Sequence, residues 1–339
     1  MRAYRVVSTV FVALLVSARV GSGQVLDLTV RDVGLAIGDK PSMTGLRINF
    51  RDRHLRQITG VNLTLWAPYE PATGNVNGLA LGIPVTGAKN ITGAAIGILG
   101  AGAEGSIVGL GGGLIGLGAG REMRGIMVGG VGTGAGGAVT GIGIGGVGIG
   151  AGGAMEGLMI GGVGAGSGGS LRGVAIGGVG VGAGGGVTGL AIGGVGVGSG
   201  GTIRGVVIGG VGVGGGGDIV GIAIGGVGVG SGGTVRGLAI GGVGVGAPRI
   251  EGVAIGGIGV GGHDIRAIVL APIYFDVEKG GTFTGASLFS AYNRVQGRQH
   301  GLTIGVFNYA RHLDGVQIGL INVSDNDGVR RILPVLSVR

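Results

Sequence analysis

Residues 235–246 read V-R-G-L-A-I-G-G-V-G-V-G, and this stretch decides the fold. With Val235 as position 1, the large aliphatic residues fall at positions 1, 4, 6, 9 and 11. Positions 4 and 6 alternate, as do 9 and 11, which is the period of a strand with one buried face. The parity of the aliphatic positions changes across Gly241-Gly242 and again across Arg236-Gly237. Two such changes predict two corners per unit, with glycine supplying backbone angles that other residues avoid. On this reading position 5 points outward, occupied by Ala175, Ala191, Ala223 and Ala239, and so do the glycines at positions 10 and 12.

The unit recurs. Its position-3 glycine reappears at Gly93, Gly109, Gly125, Gly141, Gly157, Gly173, Gly189, Gly205, Gly221 and Gly237, always 16 residues apart. Looser copies extend through Gly78, Gly60 and Gly45 on one side and Gly252, Gly285, Gly301 and Gly315 on the other. Neither short strand can bury its apolar side alone, so successive units must stack. The expected architecture is all-β, a repetitive β-solenoid of stacked two-strand coils with about 16 residues per coil. Eighteen anchors, counting Ala267 as a degenerate one, would make a rod of roughly 80 Å at about 4.8 Å per rung. Position 2 holds Arg172, Thr188, Arg204, Val220 and Arg236. Arginine on alternate rungs keeps like charges apart, although duplication of a 32-residue segment would leave the same trace. In the last copies Asn308 and Asn322 stand where position 10 is glycine, which predicts a turn there and a hydrogen bond between neighbouring rungs.

Composition agrees with a thin, repetitive core. Glycine supplies 94 of 339 residues, against about 7% in ordinary chains. Collagen is excluded because glycine recurs mostly at every second residue and only seven prolines are present. Ordinary disorder fits poorly with 45% hydrophobic and 12% charged residues. Four regions follow: a signal peptide at 1–23, an N-terminal cap with degenerate repeats at 24–74, glycine-rich repeats at 75–266, and degenerate repeats with a C-terminal cap at 267–339. The leader is read from Arg2 and Arg5, the apolar run Val6 to Val16 and the small residues at 21–23. Its loss would lower the net charge from +8 to about +5, since Arg2, Arg5 and Arg19 depart. Without cysteine there is no disulfide, thiol nucleophile, cysteine metal site or lipoprotein anchor. The expected location is exported: cell surface, outer membrane or extracellular.

No catalytic, cofactor-binding or metal-ligating residue is assigned, and no cofactor is implied. Gly148, Gly150 and Gly153 match a dinucleotide fingerprint, but in so glycine-rich a chain, without a βαβ context, the match is a chance one. Lys40, Lys89 and Lys279 lie outside any phosphate-binding loop. The run G-G-V-G-V-G lacks the aspartate of calcium-binding nonapeptides, and Asp218 stands alone in the central repeats. Among the histidines His54, His263, His300 and His312, the sequence lets His300, His312 and Asp314 approach on adjacent rungs, and His263 and Asp264 locally. Aromatic residues are absent from 75–266 and gather at Tyr274, Phe275, Phe283, Phe289, Tyr292, Phe307 and Tyr309. Capping of the stack explains them; a binding site is the sharper alternative. The charge excess is dispersed, so no nucleic-acid partner is expected, and no small-molecule substrate is evident.

The copies G-L-T-I-G-V-F-N-Y-A (301–310) and G-V-Q-I-G-L-I-N-V-S (315–324) resemble the bacterial surface-repeat family first named from leptospiral lipoproteins, with G-x-x-I-G-L-x-N units. The central copies look like a glycine-rich branch of that pattern. The resemblance implies export and no known enzymatic activity, and it assigns no functional residues. The expected function is that of an exported, non-enzymatic surface or structural repeat protein presenting long flat Gly/Ala-rich sheet faces for association or adhesion, to itself or to the cell envelope. An outer-membrane β-barrel is the alternative, opposed by the missing aromatic girdles and the ending Val-Leu-Ser-Val-Arg. Ice binding is a minor one, lacking regular outward threonine rows beyond Thr140 and Thr188.

Overall fold

A computed structural model describes residues 25–326 and 328–339; the signal peptide read at 1–23 lies outside the described residues. The chain forms two compact units, divided between Gly161 and Gly162. The described residues contain 31 strands and no helix. In the second unit, Leu171–Gly177, Val187–Gly193, Ile203–Gly209, Ile219–Gly225 and Thr234–Gly241 form one parallel ladder. Its register sets Gly173, Gly189, Gly205, Gly221 and Gly237 side by side. The short strands between them form a second parallel ladder, with Val181, Val197, Val213, Val229 and Val245 in line. The first unit repeats the arrangement, pairing for example Gly93 with Gly109 and Gly109 with Gly125. A membrane barrel needs antiparallel neighbours throughout. Each unit is instead a β-solenoid, and the barrel alternative falls.

Antiparallel pairing occurs in two terminal hairpins. Leu26–Val30 pairs with Val33–Ile37 through a two-residue turn in which Arg31 and Asp32 both have positive φ. Lys40 pins this turn, 2.7 Å from Asp27 and 2.9 Å from Asp32. Val316–Asn326 pairs with Val329–Val338, whose Arg330, Arg331 and Pro334 blunt the last edge against pairing with other chains.

The side-chain directions correct the expectation from the aliphatic pattern. Ala175, Ala191, Ala223 and Ala239 do not face outward; all are 0% exposed. Position 1 (Val187, Ile203, Val235), position 5 and position 11 (Val181, Val197, Val213) fill the interior, with the position-7 glycines buried beside them. The aliphatics at positions 4 and 6 lie outward and are only partly covered, and Val179, Val195, Val211, Val227 and Val243 form a half-exposed ridge at the corner. No parity flip takes place. Odd positions point inward from 1 to 13, apart from the bend at 3 and the corner at 9, and only the residue sizes change sides. The physical reason is thickness. Alanine at 5 and glycine at 7 let the two strands of a coil approach closely, leaving room opposite them for one valine at 11. The larger aliphatics pack rung against rung on the outer surface of the sheet.

The two kinds of glycine differ. At position 3 from Gly45 to Gly252, and at Gly285, φ lies between +112° and +136°, a region that suits glycine alone. There a Cβ would also strike the preceding rung, for instance 2.1 Å from the carbonyl oxygen of Gly173 at Gly189. At the corner, Gly193 and Gly194 are not left-handed, contrary to the expectation for Gly241-Gly242 and its equivalents. They are glycine for lack of room: a Cβ would meet carbonyl oxygens of Gly196 and Gly178 at 2.0 and 1.9 Å. In the first unit position 5 runs Gly111, Met127, Gly143, Met159 in register. Each methionine leans over the neighbouring glycine, and a Cβ on Gly143 would lie 3.0 Å from the Met159 sulfur. Large and small alternate to keep the interior filled.

The interior turns polar in the first coils of the first unit and the last coils of the second. Arg47, at position 5, is 0% exposed and is held by Asp52, by Asn62 Oδ1 at 2.7 Å and by Asp39 at 2.6 Å. Asn308 and Asn322 are not turn residues, as neither has positive φ. Their corner is shorter, which shifts the count by one and places them inward at position 11. The expected rung-to-rung bond does form: Asn293 Nδ2 donates to Asn308 Oδ1 and Asn308 Nδ2 to Asn322 Oδ1, each at 2.7 Å. This ladder satisfies amides that burial would otherwise leave costly.

Candidate functional site

Chemistry that could meet a partner must lie on the outside of the coils, and the outer face of the second strand is the most unusual part. Its positions 10 and 12 are glycine on rung after rung. At Gly182, Gly198, Gly214, Gly230 and Gly246, all position 12, a Cβ would meet nothing within 4 Å, and none has left-handed φ. The fold of the chain therefore does not require glycine there, although glycine weakens a strand. In the first unit the same face shows how it can be used. The loop at 65–74 folds over it, and Pro68 sits so close to Gly87, another position-12 glycine, that a Cβ would come within 2.9 Å of the ring. Loop and face enclose a cleft of about 760 Å³ whose floor includes Gly100, Gly102, Gly116 and Gly118.

In the last coils of the second unit the two glycine rows become chemically rich. Register continues position 10 from Gly259 into Tyr274, and position 12 from Gly261 into Asp276. Tyr274, Tyr292 and Phe307 then stack, with centroids 5.7 and 5.1 Å apart and planes inclined by 6° in both pairs. Position 12 carries Asp276, Arg294 and Tyr309, with Arg294 bidentate on Asp276 at 2.6 and 3.1 Å. This ion pair keeps Arg294 charged. Burial, then the nearby Asp276, raises Tyr274 above the usual phenol value, so its hydroxyl stays a neutral donor. The aromatics gathered by the sequence thus divide by side. Phe275 and Phe283 are buried in a T-shaped pair at 4.8 Å and complete the core. Tyr274, Tyr292, Phe307 and Tyr309 face outward, and Phe289 is an exposed corner residue with φ of 61°.

The other polar residues singled out are held locally. His300 lies 3.6 Å from Asp314, but His312 turns to the Arg311 carbonyl at 2.7 Å and does not join them. His263 meets Glu278 at 3.8 Å and also lies near Asp264, as expected, and His54 meets Asp39 at 3.0 Å. Asp218 accepts the backbone N–H of Thr234 at 2.8 Å, tying one rung to the next. Asp264 does the same for Thr282, and these bonds keep its carboxyl below the usual range. The arginine row lies as expected, Thr188 between Arg172 and Arg204 and Val220 between Arg204 and Arg236. Where a charge follows directly it is the opposite one, Glu251, 2.8 Å from Arg236. Sequence reasoning missed buried Arg47. Its signal is its place two residues after Gly45, which marks the interior only once position 5 is known to be inside.

No family model, curated protein or solved structure matches this chain. The likeness of 301–324 to surface repeats therefore rests on those residues alone.

Proposed function

We propose that this is an exported, non-enzymatic surface or structural repeat protein that acts by laying a flat sheet face against a partner surface, a second copy of the chain in the first instance. One observation carries the reading: the outward glycine row Gly182–Gly246, kept free of side chains where the monomer would accept them. A bare backbone face admits close approach over a large area, so contact is made by dispersion and backbone groups rather than by a pocket. The seating of Pro68 on Gly87 supports this use. The interacting face is the glycine face of the second strand. The alanines are interior and take no part. The leader residues and the resemblance of the last copies support export.

The test is sedimentation velocity of the wild type beside Gly198→Glu/Gly214→Glu. Both substitutions point into open space, so the circular dichroism spectrum should be unchanged while self-association is lost. A wild type that stays monomeric at the highest concentration reached, or a variant that associates equally well, contradicts the proposal.

A further inference from the structure

The outward cluster in the last coils is not explained by capping. The end of the second unit is closed by the hairpin strand Val329–Val338 and its core by the asparagine ladder. Tyr292, Arg294, Phe307 and Tyr309 lie on the lateral face instead, at positions that are glycine in the central coils, with Arg311 two residues beyond Tyr309. With Lys279, Gln296, Asp325 and Arg330 they line a cleft of about 580 Å³. Two of its four cations are engaged, Arg294 with Asp276 and Arg330 with Asp325 at 3.4 Å. Lys279 and Arg311 have no ion-pair partner among the described residues, and both are exposed. The rim of the cleft thus holds two uncommitted positive charges beside aromatic edges, which carry the positive side of the ring quadrupole. Both features favour an anion.

The remaining groups narrow the class. Gln296 and Asp325 present acceptors that a ligand made only of anions would avoid and that hydroxyl groups would seek. Nucleobases bind by stacking on free ring faces, but both faces of Tyr292 are taken by Tyr274 and Phe307. A lipid tail needs an apolar channel, and polar side chains outnumber Phe307 here. We propose that this cleft binds a segment of acidic polysaccharide: carboxylates on Lys279 and Arg311, ring hydroxyls on Gln296, Asp325 and Tyr309, and the sugar rings along the aromatic edges. The site lies at the end of the same outer face, where the glycine rows give way to these side chains, and it does not depend on the association proposed for the glycines.

The test uses the full chain and fluorescently labelled alginate, a carboxylated sugar polymer, with neutral dextran and single-stranded DNA as comparison probes. Alginate should bind, dextran should not, and DNA should bind at least tenfold more weakly. Charge-assisted hydrogen bonds of this kind predict that Lys279→Ala/Arg311→Ala lowers alginate affinity by about tenfold or more, while Arg204→Ala, on another face, leaves it unchanged. Circular dichroism of the double variant should match the wild type, since both side chains are exposed. Failure of alginate to bind, equal binding of DNA, or an unaffected double variant overturns the proposal.

Discussion

Gly189→Ala is expected to lower stability by about 3–5 kcal/mol, read as the shift of the urea unfolding midpoint followed by circular dichroism. Two effects add. The backbone at Gly189 has φ of +117°, which an alanine reaches only under strain, and the new methyl would stand 2.1 Å from the Gly173 carbonyl oxygen. The neighbouring rung cannot yield, because Gly173 is held in the same ladder. Gly198→Ala, nine residues away, should do the opposite. Its methyl meets nothing within 4 Å at an ordinary φ, so the substitution only restrains the unfolded chain and stabilises by about 0.4–1 kcal/mol. Equal effects of the two substitutions would mean that the glycines are interchangeable, against the assignment of position 3 to a bend and position 12 to an open face.

The second large effect lies in the first unit. Asp52→Asn is expected to cost about 3 kcal/mol, because it leaves the guanidinium of Arg47 buried with only part of its countercharge. Adding Arg47→Met should recover much of the loss, and the coupling in the double-mutant cycle measures the pair. The same carboxylate predicts a pH dependence. Burial alone would raise its pKa, but the Arg47 charge and the hydrogen bonds from Thr64, Arg47 and Asn49 outweigh burial and hold it below the usual value. A carboxyl lowered on folding contributes stability that is complete above its unfolded pKa of ~3.9 and is lost as pH falls through the folded value. The wild type should therefore lose stability below about pH 4, with a smaller decline in Asp52→Asn over that window. Unfolding curves at several pH values decide this; parallel declines would contradict it.

The stacked coils were legible because each rung must repeat the geometry of the last, so the 16-residue spacing of the position-3 glycines is the register of the ladder within each unit. The side facing inward was not legible by size. Isoleucine at position 6 and alanine at position 5 both suit a strand, and the usual rule that larger aliphatics go inside selects the wrong face when the interior is one valine thick. The same rule hid Arg47, which is interior although charged. Asn308 was misplaced by a corner one residue shorter than those of the central coils, while its ladder to Asn322 followed from chemistry that does not depend on the count. The lateral cleft was visible in the sequence only as a cluster of aromatics. Its cations come together through pairing between rungs and the final hairpin, which spacing along the chain does not display.

Which side of each coil faces in is open to measurement, because the chain has no cysteine of its own. Ala191→Cys, Ile192→Cys and Gly198→Cys each introduce one thiol, whose reaction with a labelling reagent reports exposure. In protein diluted until it is monomeric, the structure predicts that Gly198→Cys reacts at nearly the rate of a free thiol, that Ile192→Cys is slower but reactive, and that Ala191→Cys is protected until the protein unfolds. Rapid labelling of Ala191→Cys together with protection of Ile192→Cys would turn every coil inside out and contradict the account.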